Sequence, residues 1–383
     1  MDAHSLISAE PAAGKLKELL EQALAVSRPR PTRPVGFIEQ KYPGFLQIAE
    51  ILRLSADSGY WTNFGPVSSL LESAVEHHLN LPPSRAAVMC ASGTAALLAL
   101  VALKEHGIGR GLRWVVSAYG FRSTCLGPLA GATVLDCDDK GLLDLETLAG
   151  LDPDTWDGAV LTNVFGLRPE LHDYVSLCRK LGKELIVDSA GLLLGFSREN
   201  ERGSVDEILS FHQTKPWGMG EGGCAIIARE HAPKLREFIN CGEGLDQASL
   251  ALAANSKISD FSCALILQRL LRAPEWSRGY REQAQRLLEI ACQAGLRPLA
   301  PMDLSVMTPP HLPMLARLPI AEAGLANDKF VIRKYYKPLM NHMGKNARAI
   351  YEHIVNIPCH PDMAALRDEE IGRCLQNLTS GNP

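Results

Sequence analysis

Lys215 is the residue whose surroundings raise the sharpest chemical question. It sits in SFHQTKPWGMGEGGCAII, Ser210 to Ile227, just ahead of a glycine-rich run. Gly218, Gly220 and Gly223 spell G-x-G-x-x-G, which cradles dinucleotide phosphates when a strand leads in and a helix begins within it. Here the glycines lead into CAIIA, Cys224 to Ala228, a short β-type run, so the order is reversed and the nucleotide reading fails. What remains is a single amine beside a glycine-rich turn. A free lysine has a pKa of about 10.4, so it reacts as an amine at neutral pH only where burial or nearby positive charge lowers that value.

Other reactive side chains stand at the ends of apolar runs, where ligands collect in open α/β sheets. SGTAAL, Ser92 to Leu97, follows AAVMCA and opens a helical stretch. Free N–H groups and the helix dipole there suit an anion, although Ser92 or Thr94 also reads as a plain N-cap. Asp188 ends ELIVD and serves either a ligand or the following turn. Ser210 ends EILS, and Phe121 lies just beyond WVVS, as a core residue or as a stacking platform for a flat ring. An anion site, a ring platform, an acid for a protonated heterocycle and an amine for an aldehyde are together the contacts of pyridoxal phosphate.

These residues need a sheet to bring them together. AAVMCAS, WVVSAY, ATVLDCD, GAVLTNVFG, ELIVDSAG, EILSFHQ and CAIIA read as strands, alternating with helical stretches such as LLALVALKEHG and ELHDYVSLCRKLG. Continuous apolar strands between helices predict an α/β fold: a three-layer α/β/α large domain with a mainly parallel sheet. After about Ser262 long helical patterns take over, predicting a smaller C-terminal α+β domain. The reading therefore divides the chain into an N-terminal extension and linker (1–38), a large domain (39–262) and a small domain (263–383).

Bulk properties narrow the function. The chain has 383 residues with a net charge of −4, which argues against binding nucleic acid. Ten cysteines are scattered without a C-x-x-C pair, so free thiols in a reducing compartment are expected and a metal site is not. His77 and His78 are adjacent, about 100° apart on a helix, and make a poor ligand pair. No apolar run approaches the about 18 residues of a membrane span, and the expectation is a cytoplasmic protein.

The motifs, taken in order, resemble the DegT/StrS family of nucleotide-sugar aminotransferases, of the aspartate-aminotransferase fold type I. The matching elements are YWTNFGP (Tyr60 to Pro66), SGTAAL, AYGFRST, GATVLDCD, VDSAG, SFHQTK with GEGG, AANSKISDF and NIPCHPDM. The resemblance implies that Lys215 is the Schiff-base lysine and proton shuttle, and Asp188 the partner of the pyridinium. It implies that Gly93, Thr94 and Ser210 bind the phosphate and that Phe121 stacks on the ring. Asn255 resembles the asparagine that reaches the neighbouring subunit's cofactor, which implies a homodimer with shared active sites. The activity implied is transfer of an amino group from glutamate or glutamine to a keto sugar, nucleotide-linked in most of the family. The alternative is a related enzyme acting on a non-sugar ketone or dehydrating a sugar; the family's dehydratases carry histidine at the lysine position, and Lys215 favours transamination.

Two positions depart from the family. Lys257 stands where arginine is common. Gly191 replaces the usual Gln or His after the aspartate, which predicts a small open volume beside the cofactor, closed by Phe121 or Trp217 or filled by substrate.

Overall fold

The computed structural model describes residues 34–167, 171–191, 205–305, 307–339 and 344–379. Most of the N-terminal extension expected over 1–38 lies outside them. Two helices, α1 (Phe45–Ser58) and α2 (Pro66–His78), precede a seven-stranded sheet. The buried carboxylate of Asp260 receives the Val67 and Ser68 amides at 3.1 and 3.0 Å, and so caps the α2 N-terminus.

The sheet comprises β1 (Arg85–Cys90), β2 (Trp114–Ser117), β3 (Thr133–Leu135), β4 (Gly158–Thr162), β5 (Glu184–Asp188), β6 (Asp206–Ser210) and β7 (Gly223–Ala228). Their order across the sheet is β1-β7-β6-β5-β4-β2-β3. All neighbours run parallel except β7, which is antiparallel to both β1 and β6. Four parallel strands thus end along one edge at Ser117, Thr162, Asp188 and Ser210.

Helices α3 (Gly93–Ile108), α4 (Leu145–Ala149) and α5 (Leu171–Leu181) lie between strands, and α6 (Ala232–Ile239) follows β7. Alternating residues of each strand supply the two faces. Val116, Val160, Ile186 and Ile208 pack with Leu97 and Leu100 of α3 and with Leu235 and Phe238 of α6. Val115, Ala159, Leu161, Leu185 and Val187 pack with Leu171, Tyr174 and Cys178 of α5 on the other. This is the three-layer α/β arrangement expected.

The long helical pattern near the C-terminus resolves into α7 (Asp260–Leu271) and α8 (Ala273–Gln293). Beyond them β8 (Arg297–Pro298), β9 (His311–Leu315) and β10 (Ile354–Pro358) form a small antiparallel sheet, flanked by α9 (Lys345–His353) and α10 (Asp368–Thr379). Residues 262 and 263, where the sequence reading divides the chain, are neighbours inside α7. One hydrophobic cluster joins Met89 and Ile226 of the large sheet to Leu287 of α8, Val355 of β10 and Leu375 of α10.

Candidate active site

The carboxyl edge of the parallel strands opens into a cavity of about 1480 Å³. Gly93, Thr94, Phe121, Asp188, Ser210 and Lys215 all line it. Sequence reasoning placed these six together, and the topology does the same because β5 and β6 are parallel neighbours. Asn255 does not line the cavity; it is exposed and bridges to Asn240.

Each element delivers its side chain for a local reason. Ser92 is the N-cap of α3, its Oγ accepting from Ala95 N at 3.1 Å. The capping reading of that segment therefore holds, and Gly93 and Thr94 still face the cavity. A Cβ at Gly223 would fall 2.1 Å from the Ser92 carbonyl carbon, so only glycine lets β7 pass this close to the helix start. Ser210 closes β6 and accepts from His212 N at 3.3 Å. Asp188 closes β5, 2% exposed, and its Oδ1 accepts from Ala190 N at 3.0 Å. Lys215 lies in the turn after β6, where its N donates to His212 O at 2.9 Å.

Burial sets the charges. It pulls the Lys215 amine below its ordinary value, with the Asp188 carboxylate opposing. It pushes the Asp188 carboxyl up, against the Ala190 amide and the Lys215 charge. The low-dielectric setting thus favours an unprotonated amine, the state a carbonyl-attacking lysine requires.

Several lining residues escaped the sequence reading. Asn163 follows β4, is 2% exposed, and has neither amide atom hydrogen-bonded among the described residues. It stood at a strand end, so the rule that singled out Asp188 applied to it equally. His311 opens β9; its Nδ1 is buried without a partner, and burial with the Lys215 charge pushes the ring's pKa down to about 3. Tyr336 stacks on Phe165 at 5.3 Å and 8°, and burial followed by the Asp188 charge raises its phenol. The Tyr119 hydroxyl holds this segment by donating to Tyr335 O at 2.6 Å. His311 and Tyr336 gave no such signal, because residues far apart in sequence meet only in the fold.

Gly191 lines the cavity, but the open volume expected there is not found in the direction a side chain would take. A Cβ there would stand 2.7 Å from Gly166 N and 2.9 Å from Phe165 C. The chain after β4 fills the space, and Gly191 is what permits that approach. Trp217 does not close the site either: it is buried in the core beneath, donating from Nε1 to Ser210 O at 2.7 Å.

These residues fit a ligand with an anionic end, a basic ring nitrogen and a carbonyl. An anion would find the start of α3 and Ser210, a ring nitrogen would find Asp188, and a carbonyl would find Lys215. The unpartnered Asn163 amide and His311 Nδ1 argue in the same direction, since buried polar atoms are rarely left without partners in a native structure.

Comparison with known proteins agrees with that chemistry. Residues 47–303 match the model of the DegT/DnrJ/EryC1/StrS aminotransferase family. Protein Rv3402c of Mycobacterium tuberculosis is 29% identical over 266 residues, covering 62% of this chain and 60% of its own. The match thus spans only about 60% of the mycobacterial relatives' length. The L-glutamine:2-deoxy-scyllo-inosose aminotransferase of Streptoalloteichus tenebrarius is 28% identical over 314 residues, covering 72% of this chain and 70% of its own. Among solved structures, Helicobacter pylori PseC, an aminotransferase of pseudoaminic acid biosynthesis, superposes with a TM-score of 0.73 at 20% identity. It covers 92% of this chain and 99% of its own. A PLP-dependent aminotransferase fold from Bacillus cereus gives 0.74 at 18% identity, over 90% and 99% of the two chains.

Proposed function

The chain belongs to the DegT/DnrJ/EryC1/StrS aminotransferase family, and we propose that it moves an amino group from glutamate or glutamine onto a keto sugar with pyridoxal phosphate as cofactor. The observation that carries this reading is the pairing of a desolvated Lys215 with a buried Asp188 in one cavity. When bound, the cofactor supplies the aldehyde that receives the amino group and the ring that withdraws electrons from the reacting carbon.

The chain's own residues do the rest. Gly93, Thr94 and Ser210 bind the phosphate, and Phe121 covers one ring face. Asp188 holds the ring nitrogen's proton: its carboxylate, unfavourable alone in this setting, is stabilised by a cation brought against it. Lys215, held as a neutral amine, would accept the proton of the amino-bearing substrate carbon and, as the ammonium so formed, donate it again from the same face. Phe165, Tyr336 and the Tyr335 segment exclude water around it.

For the acceptor we favour a nucleotide-linked keto sugar, which a cavity of about 1480 Å³ has room to hold. A free cyclic polyhydroxy ketone is the second reading, favoured by the inosose named for a relative. The proposed assembly is a homodimer in which the exposed Asn255 reaches the partner's cofactor phosphate. Ten free cysteines are consistent with a reducing compartment, and we place the enzyme in the cytoplasm.

Borohydride reduction of the cofactor-loaded enzyme, followed by peptide mapping, tests the assignment. The cofactor should be found on Lys215; a label on another lysine would sink it. Stopped-flow spectra with a nucleotide-linked keto sugar and with an inosose then separate the two acceptors.

A further inference from the structure

The turn that carries Lys215 is held from outside by a cation that the proposed chemistry leaves unused. Lys41 lies just before α1, far from the sheet in sequence. Its Nζ donates to Gln213 O at 2.8 Å, to Gly218 O at 2.6 Å and to the carbonyl of Lys215 itself. An ammonium has three N–H donors, and here all three serve one turn.

The next carbonyl in that turn is also taken by a cation. Arg269 of α7 donates from Nε to Pro216 O at 2.8 Å, and its guanidinium is ion-paired with Glu39. The carbonyls of residues 213, 215, 216 and 218 therefore all end on two positive side chains. Inside the turn the backbone itself offers Lys215 N to His212 O at 2.9 Å, Gly218 N to Lys215 O at 3.0 Å and Gln213 N to Gly220 O at 2.8 Å. Burial, then the Arg269 charge, pull the Lys41 amine down to about 7 against the opposing Glu39. With a pKa of about 7 the amine exchanges between the ammonium, with three N–H donors, and the neutral amine, with two, and the three carbonyls favour the ammonium.

We propose that Lys41 is a positioning residue for Lys215: by gathering three carbonyls it fixes the turn, and with it the reach of the Lys215 amine toward Asp188. The inference rests on Lys215 being the cofactor-bearing lysine. Lys41 does not line the cavity, and its side-chain hydrogen bonds to the described residues all end on backbone carbonyls. Its effect is on geometry, where a misplacement of about 1 Å is enough to slow a reaction by about 10²-fold.

The test compares Lys41→Met, which keeps the stem and removes every donor, with Lys41→Arg, which keeps the charge. Hydrogen exchange of peptides covering residues 213–220 is read on the cofactor-free and the cofactor-loaded protein. Exchange should quicken by at least about tenfold in Lys41→Met, as its anchors are lost. The same variant should lower kcat by about ten- to a hundredfold while KM for the amino donor moves by less than about threefold. Lys41→Arg should restore part of both. Unchanged exchange overturns the proposal, as does quickened exchange with wild-type kcat, because the turn would then be loose without consequence. Should Lys41→Met not fold, Lys41→Gln, with one amide in place of three donors, must show the same two changes in smaller measure. Borohydride labelling of the wild type is a separate arm: a label away from Lys215 defeats the functional reading, whatever Lys41 does.

Discussion

The two ends of strands β5 and β6 treat the same pair of chemical groups in opposite ways. At their amino ends, Glu184 and Asp206 meet Lys104 of α3 at 2.8 and 2.7 Å, and Asp206 also meets Arg85 at 3.1 Å. Burial alone would lower the Lys104 amine, but Asp206 and Glu184 more than offset it, and the amine ends above its ordinary value. At their carboxyl ends, Asp188 and Ser210 face Lys215, and there burial wins: the amine falls and the carboxyl rises. One pair of strands thus separates charges that are ion-paired from charges that, in the proposed function, are left to react. The difference lies in direct ion-pair contact and also in burial, since Lys104 and Glu184 remain partly exposed.

The largest effect should come from the reactive end. Lys215→Met is expected to cut kcat by more than about 10³-fold, as loss of an essential proton carrier does. The cofactor-free variant should melt no lower than wild type, since it loses a buried amine that burial disfavours in its charged form. A large drop in melting temperature would mean that Lys215 is structural, like Lys104, and would erase the contrast.

Asp188→Asn comes next. It keeps a hydrogen bond and removes the charge, and kcat should fall by at least about 10²-fold, some 2.7 kcal/mol of barrier. A near wild-type rate would make Asp188 a turn cap for Ala190 and nothing more.

Much of this contrast was legible before the fold was known, because strand ends are local. ELIVD and EILS announce where Asp188 and Ser210 fall, and parallel order brings them side by side. The helix start at Ser92 was equally plain. Asn163 was available by the same rule and was passed over. His311, Tyr336 and Lys41 were not legible, since only the packing of the C-terminal elements and the segment before α1 brings them to the site. Gly191 was misread for a related reason: a missing side chain looks like space until the neighbouring backbone is seen to occupy it. Gly191→Gln should therefore damage amination of the cofactor and return of the amino group alike, and destabilise the protein by about 2 kcal/mol through overpacking. Stopped-flow measurement of each half separately checks this; loss confined to the ketone half would restore Gly191 as a determinant of substrate.

At the structural end, Lys104→Met should lower stability by about 2 kcal/mol and leave kcat per folded enzyme within about twofold. The figure is below that of a fully buried pair because Lys104 and Glu184 are partly exposed, and because Arg85 continues to hold Asp206. Chemical denaturation of the cofactor-free variant measures it. A loss of activity without a loss of stability would show that the two ends of the strands are coupled.

The smallest effect is also the most discriminating, because the two lysines should bend the pH dependence of stability in opposite directions. Both have a pKa of about 10.4 in the unfolded chain. Lys215 is lowered on folding, so between its lowered value and about 10.4 the unfolded chain binds more protons, and stability rises with pH. Lys104 is raised, so its contribution is fully present below about 10.4 and is lost as pH climbs through its folded value, by at most about 1 kcal/mol at about pH 11. Lys41 is lowered too, but it is common to wild type and both variants and cancels in the differences. Unfolding curves of cofactor-free wild type, Lys215→Met and Lys104→Met across this alkaline range give the two difference plots. Relative to Lys215→Met, wild type should gain stability as pH rises. Relative to Lys104→Met, its advantage should stay flat and then shrink. If both plots slope the same way, direct pairing is not what distinguishes the two ends of β5 and β6, and depth alone would have to explain the reactive lysine.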